Sequence, residues 1–163
     1  MAYSSYAIAL GSNQWHGRHG PPEGVVAAAI DALAALGTVE RRSSIHITPA
    51  LGPAGRDFAN AAIILSSPLA PDALLAELKA IERAFGRRPG RRWGPRVLDL
   101  DIILWSGGRW RGPRLTLPHS EYRGRRFVLA PLAEIAPAWR DPLSGLRVGH
   151  LLARLTAPRP APS

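Results

Sequence analysis

Cysteine is missing from the 163-residue chain, which excludes disulfides and thiolate metal centres. Zinc-ligand spacing is missing too. The five histidines (His16, His19, His46, His119, His150) form no such pattern, and His16 and His19 fall in a Gly/Pro-rich loop where solvation is the expectation. No apolar stretch is long: the longest early run, Val25 to Ile30, stops at Asp31. Met1-Ala2-Tyr3-Ser4-Ser5 lacks a basic leader region, so neither a signal peptide nor a membrane span is expected, and the cytoplasm is the default compartment. Repeats and internal linkers are absent as well. Residues 1–156 are therefore expected to form a single domain, with a Pro-rich tail over 157–163 expected to be disordered. Acids are scarce, 12 against 21 basic residues, for a net charge of +9. The 46% hydrophobic content still provides for a packed core.

The excess charge is concentrated. Arg83 to Arg126 carries twelve arginines against Asp99, Asp101 and Glu121, while charges elsewhere cancel. Such a field favours a polyanion, either a nucleotide polyphosphate or a nucleic-acid backbone.

Within that basic stretch lies Arg92-Trp93-Gly94-Pro95-Arg96-Val97-Leu98-Asp99-Leu100-Asp101-Ile102-Ile103-Leu104. Strand side chains alternate faces, so Asp99 and Asp101 are expected on one face and Leu98, Leu100 and Ile102 on the other. Their origins would stand roughly 6.6 Å apart. Such a gap suits one or two Mg²⁺ ions completed by water and phosphate oxygens, and the neighbouring arginines can hold the same phosphates. Phosphoryl transfer follows as the leading expectation. The plain alternative is an edge strand with solvated acids, but acids between apolar neighbours are costly unless something pairs them.

The element order predicts the fold class. Tyr6 to Leu10 reads as a strand ending in Gly11-Ser12-Asn13, and Val25 to Leu36 as an Ala-rich helix stopped by Gly37. Arg41 to Thr48 and Phe58 to Leu65 read as two further strands. Pro71 opens a second helix with Leu74, Leu75, Leu78, Ile81 and Phe85 on one stripe, and the Asp99/Asp101 strand follows. The order β-α-β-β-α-β is the ferredoxin-like plan: an α+β fold, its antiparallel sheet carrying helices on one face and leaving the other free for a site. The last third reads as a short C-terminal extension: Leu115 to His119, Phe127 to Ile135, and a helix near Val148 to Leu155.

Other short segments add candidate groups. Phe58 and Asn60 share a strand face and could stack on and read a planar heterocycle, although Phe58 in a core and Asn60 at an edge is the plainer reading. Arg114-Leu115-Thr116-Leu117-Pro118-His119 alternates again; His119 could bind phosphate or cap a loop. Arg123 to Phe127 adds basic residues ending in an aromatic.

Together these segments resemble the 6-hydroxymethyl-7,8-dihydropterin pyrophosphokinase family of folate biosynthesis. The likeness rests on Arg92 to Arg96 with Leu98 to Ile102, Gly11-Ser12-Asn13, Thr48-Pro49-Ala50-Leu51-Gly52, Asp57 to Asn60, Leu117-Pro118-His119 and Arg126 to Leu132, all in family order. It runs from about Tyr6 to Leu152. The resemblance implies pyrophosphate transfer from MgATP to the pterin hydroxymethyl group, with release of AMP. It implies that Asp99 and Asp101 bind two Mg²⁺ ions, and that Arg87 and Arg96 act on the transferred group. Glu82, Arg92, Trp93, Ile102, Arg114, Thr116, His119 and Arg125 would line the ATP side. Thr48, Leu51, Phe58, Asn60 and Phe127 would hold the pterin, stacked between Phe58 and Phe127. The chain departs from the family at Lys79, where Gln is common, at Ser120, where an aromatic is frequent, and in a shortened segment from Arg87 to Arg92. The expected partners are ATP and the pterin alcohol, acting on a monomer without nucleic acid or membrane. An RNA-binding module would use the basic stretch and its tryptophans but not the embedded acids, which repel a phosphate backbone. A nucleotidyltransferase would bring its Asp-x-Asp pair soon after the Gly-Ser turn, whereas here most of the domain intervenes.

Overall fold

The computed structural model describes residues 2–48, 57–86 and 97–157. Of the expected site residues, Leu51, Arg87, Arg92, Trp93 and Arg96 lie outside this set, as does the tail from 158 onward.

Alternation of large and small residues along the first strand, β1 (Ser4–Ser12), organises the rest. Tyr6, Ile8 and Leu10 point to one face and enter the larger core, while Ala7, Ala9 and Gly11 point to the other. The large face receives α1 (Pro22–Leu33) and α2 (Pro71–Ala84). Both helices open on proline at the first helical position, where the missing N–H costs nothing. Helix α1 buries Val25, Val26, Ala29, Ile30 and Leu33; α2 buries Leu74 and Leu78. Each large aliphatic side chain so buried contributes roughly 1.5–3 kcal/mol. After α1, Ala34–Leu36 forms a 3₁₀ turn, so the helix ends earlier than its apolar pattern predicts. Gly37 then passes so close to Ser66 that a Cβ would sit 2.1 Å from its carbonyl oxygen, which only glycine avoids.

β1 is joined by β2 (Thr38–Arg42), β3 (His46–Thr48), β4 (Phe58–Ser67) and β5 (Asp99–Trp105). The sheet runs β2-β4-β1-β5, all neighbours antiparallel, with β3 extending along β4. This is the expected ferredoxin-like α+β arrangement. The single strand expected over Arg41 to Thr48 is instead two, and Ser43 is the reason. Its N–H donates to the Ala62 carbonyl at 2.9 Å while its Oγ accepts the Ala62 N–H at 2.9 Å, so a side chain replaces one rung of the ladder.

The second face of the sheet is not free along its whole length, contrary to expectation. The C-terminal segments α3 (Arg126–Ile135) and α4 (Val148–Thr156) cover part of it. Val128, Leu129, Leu132, Ile135, Val148 and Leu151 pack there against Ala7, Ala62 and Ile64 in a second core. A bulge in β5 feeds that core: Ile8 pairs with Ile102 and Ala7 with Leu104, so Ile103 is the extra residue. Ile103 and Leu104 thereby both join the second core, whereas Leu98, Leu100 and Ile102 stay with the first. A small hairpin, β6 (Trp110–Arg111) with β7 (Thr116–Leu117), leads to a cis Leu117–Pro118 bond and His119. His16 and His19, expected to be solvated, stack on each other at 4.7 Å, and His19 stacks on Phe85 at 5.0 Å.

Candidate active site

Where α3 and α4 stop covering the sheet, a cleft of about 700 Å³ opens over the Gly11 end of β1. Its floor follows from the small residues of β1. Ala9 and Gly11 lie flat between two strands that supply the functional groups: Gly11 is paired with Asp99 of β5 on one side and Asn60 of β4 on the other, and Ala9 with Asp101. The register thus sets Asp99, Gly11 and Asn60 in one row across three strands, continuing to His46 of β3.

Asp99 and Asp101 are exposed on the cleft side while Leu100 between them is buried in the core, as the alternation predicts. No group of three or more metal-ligating side chains occurs among the described residues. That donor set, two carboxylates on an open floor, fits Mg²⁺, which favours one or two protein carboxylates and completes its shell with water and substrate phosphates.

Asn60 is 8% exposed as a residue and lines the cleft, with no side-chain hydrogen bond among the described residues. Its amide thus offers both a donor and an acceptor to a molecule in the cleft. Gly11 keeps room for it, since a Cβ there would come within 3.0 Å of Asn60 Nδ2. The remaining walls are aromatic. Phe58 and Phe127 both line the cleft and are about half exposed, 48% and 50%, so two large apolar rings stand where a planar ligand would cover them. Thr48, paired with Phe58 across β3 and β4, completes this side.

Arg125 lines the cleft from the segment that precedes α3. Its guanidinium lies 5.8 Å from the Phe127 ring centroid, and Nη2 donates to Glu121 at 3.0 Å. That segment is anchored from beneath. Arg123 donates through Nε and Nη2 to the fully buried Asp141, whose carboxylate also accepts the Leu143 N–H and the Ser144 hydroxyl. Burial alone would raise the Asp141 pKa, but these donors hold it well below the usual carboxylate range.

The other expected nucleotide-side residues lie off the cleft floor. Arg114 and Thr116 are exposed on and beside the β6–β7 hairpin. His119 is fixed by its N–H to the Ile103 carbonyl at 2.9 Å, and its Nδ1 accepts the Glu121 N–H at 3.1 Å. In the neutral ring the proton is therefore on Nε2. Burial lowers the His119 pKa, opposed by the nearby Asp101 carboxylate. Ile102 is buried in the α1/α2 core. Glu82 is buried at 4% exposure on the apolar stripe of α2, where Oε2 accepts the Leu100 N–H at 2.8 Å and Oε1 meets Lys79 Nζ at 3.2 Å.

The cleft therefore gathers Asp99, Asp101, Thr48, Phe58, Asn60, Phe127 and Arg125. Ala9, Gly11, Ser12 and Asn13 line it too and were not among the expected site residues. The Gly-Ser-Asn turn was their signal in the sequence, but a residue whose contribution is absence of bulk carries no chemical label.

The family model for 7,8-dihydro-6-hydroxymethylpterin-pyrophosphokinase matches residues 7–137. The chain is 45% identical over 124 residues to the 2-amino-4-hydroxy-6-hydroxymethyldihydropteridine pyrophosphokinase of Synechocystis sp., across 76% of this chain and 64% of that relative. It is 42% identical over 151 residues to the protein of the same name from Pseudomonas aeruginosa, across 90% and 88% of the two chains. In fold it is similar to the crystal structure of wild-type Plasmodium falciparum HPPK-DHPS, with a TM-score of 0.73, 11% identity, and coverage of 94% of this chain and 45% of that one. By sequence match across most of its length, the chain belongs to the 7,8-dihydro-6-hydroxymethylpterin-pyrophosphokinase family.

Proposed function

We propose that the cleft transfers the terminal pyrophosphoryl group of MgATP to the hydroxymethyl group of 6-hydroxymethyl-7,8-dihydropterin, releasing AMP, as a step of folate biosynthesis. The observation that carries this reading is the juxtaposition of two unlike half-sites on one floor. Asp99 and Asp101 face one end, and the open amide of Asn60 with Phe58 and Phe127 faces the other. A carboxylate pair suits a metal-bound triphosphate; an amide between aromatic rings suits a flat heterocycle with donor and acceptor edges.

In this reading Thr48, Phe58, Asn60 and Phe127, with Leu51 from outside the described residues, bind the pterin. The ring lies between Phe58 and Phe127, and its polar edge meets Asn60. Arg125, Arg114, Thr116 and His119 belong to the nucleotide side with Arg92 and Trp93; Glu82 and Ile102 act there through the strand they brace. Asp99 and Asp101 would hold two Mg²⁺ ions, which supply charge neutralisation for the triphosphate. The pterin hydroxyl oxygen attacks the β-phosphorus, a new O–P bond forms, the P–O bond to AMP breaks and the hydroxyl proton is released. Such transfers depend on positioning and charge compensation, with little covalent work by the protein. Arg87 and Arg96 are the groups proposed to meet the transferred phosphates. No histidine or free carboxylate is assigned as a general base.

No helix among the described residues is long and apolar enough to cross a membrane. A cytoplasmic monomer without a nucleic-acid partner is the proposed working form.

The test is product identity. Incubation with ATP, Mg²⁺ and the reduced pterin alcohol should yield AMP and a pterin diphosphate, with no AMP when the pterin is omitted. Formation of ADP, or of free pyrophosphate with a nucleotidylated product, would overturn the assignment.

A further inference from the structure

Helix α3 brings Phe127 to the cleft and packs through Val128, Leu129, Leu132 and Ile135 in the second core with Ala7, Ala62, Ile64, Ile103 and Leu104. Such apolar contacts are non-directional. Directional polar tethers join the far end of the helix to the sheet edge. Glu134, about two turns beyond Phe127, accepts three hydrogen bonds from the β2–β3 connection and the start of β3. The Ser44 N–H donates to Oε1 at 2.7 Å, the Ser44 hydroxyl donates to Oε2 at 3.0 Å, and His46 Nε2 donates to Oε2 at 2.7 Å. Arg41 Nη1 adds a bond to the Ile135 carbonyl at 2.9 Å.

An ordinary surface ion pair contributes little. This cluster differs because one donor is a backbone N–H and because of where the tethered strand leads. His46 is the register partner of Asn60, and Thr48, two residues on, is the partner of Phe58. Glu134 therefore joins the helix that carries one aromatic wall to the strand that flanks the other wall and the amide. The Glu134 carboxyl is held below its usual pKa, first by the Ser44 backbone N–H and then by His46, so it stays ionised and keeps both oxygens as acceptors.

We propose that Glu134 is a positioning residue that sets the gap between Phe127 and the Thr48–Phe58 pair, and with it the fit of the planar heterocycle. The inference rests on the pterin reading of the cleft. Glu134 is not among the residues lining the cleft, so its loss should act through Phe127 and Thr48 on the planar ligand and spare the nucleotide.

The experiment compares wild type, Glu134→Ala, Glu134→Gln and His46→Ala, each first checked for cooperative thermal unfolding. Calorimetry then measures binding of a non-hydrolysable ATP analogue with Mg²⁺, and of 6-hydroxymethylpterin with that analogue saturating. Glu134→Ala should weaken pterin binding by about ten- to a hundredfold, the scale of misplacing a positioned group by a fraction of an ångström to an ångström. Nucleotide affinity should change less than twofold. Glu134→Gln keeps an oxygen for the Ser44 N–H and should recover part of the loss, and His46→Ala should fall between Gln and Ala. In turnover the KM for pterin should rise while the KM for ATP holds. Equal losses for both ligands, no loss for either, or a Gln variant as weak as Ala would overturn the proposal. If Glu134→Ala does not fold, the Gln and His46 variants are judged on the same ligand selectivity. Wild type that binds no pterin would overturn the functional reading and this inference together, whereas pterin binding unaffected in the variants overturns the inference alone.

Discussion

The backbone N–H of Leu100 donates to Oε2 of Glu82 at 2.8 Å, so a buried carboxylate on α2 holds the strand between the two cleft aspartates. Strand β5 is at the edge of the sheet, and an outward N–H there would otherwise lack a ladder partner. The acceptor fixes the Asp99–Leu100 peptide, between the two aspartates. Glu82 thus braces the proposed metal site from behind.

Glu82→Ala should destabilise the fold by about 1–3 kcal/mol, the cost of leaving a buried donor unsatisfied. Glu82→Gln, which retains an acceptor, should lose less. Denaturant unfolding of both variants checks this, and an alanine variant as stable as wild type would remove the brace from the account.

Asp99→Asn and Asp101→Asn should each lower turnover by about 10²-fold or more while preserving the unfolding midpoint. Both side chains are exposed, so neither supports the core. A Mg²⁺ titration of AMP formation separates the cases: raising the metal concentration should recover only part of the rate. Full wild-type turnover at saturating Mg²⁺ would show that the carboxylates do not hold the metal.

Gly11→Ala should act on the pterin through Asn60. The added methyl would lie 3.0 Å from Nδ2, closer than a comfortable contact, and the amide must turn away. A site built to hydrogen-bond its ligand loses discrimination when that group is displaced. Pterin affinity should drop by about tenfold or more, with little change for the ATP analogue. Calorimetry with the two ligands in parallel measures the contrast.

Asp141 makes stability depend on acid pH. Its folded-state pKa is depressed below the unfolded value of about 3.9, so its contribution is complete above that value and disappears as pH falls towards the folded one. The melting temperature of wild type should therefore fall below about pH 4, and this component should be missing from Asp141→Asn. At pH 7 the variant should be less stable by about 2–3 kcal/mol, because Arg123 keeps its charge but loses its counter-charge and one of its two acceptor oxygens. An unchanged acid profile in the variant would assign the acid transition to other carboxylates.

Local pattern made much of this molecule legible. The alternation from Leu98 to Ile102 placed Asp99 and Asp101 on one face and the aliphatics on the other, since a strand has period two whatever surrounds it. Pro71 and the Leu74–Leu78 stripe defined α2 for a similar reason: helix start and periodicity are written within one element. The order of elements sufficed for the ferredoxin-like plan. Phe58 and Asn60 were readable as neighbours on one face, and the motif order carried the family.

Tertiary structure decided what depends on partners distant in the chain. Ser43 breaks a strand because its hydroxyl meets the Ala62 N–H, and nothing near Ser43 in sequence announces that partner. Glu82 sits on the buried stripe of α2, where the Leu100 N–H and Lys79 Nζ pair its carboxylate, as burial of a charge requires. Helices α3 and α4 cover part of the second face by packing with Ala7, Ala62, Ile64, Ile103 and Leu104, a match between surfaces visible only once the strands are in register. Gly11 became a site residue for the same reason: Asp99 and Asn60 come to flank it through pairings across three strands. Periodicity fixes which face a side chain takes, whereas the space left beside it is set by whatever the rest of the chain brings there.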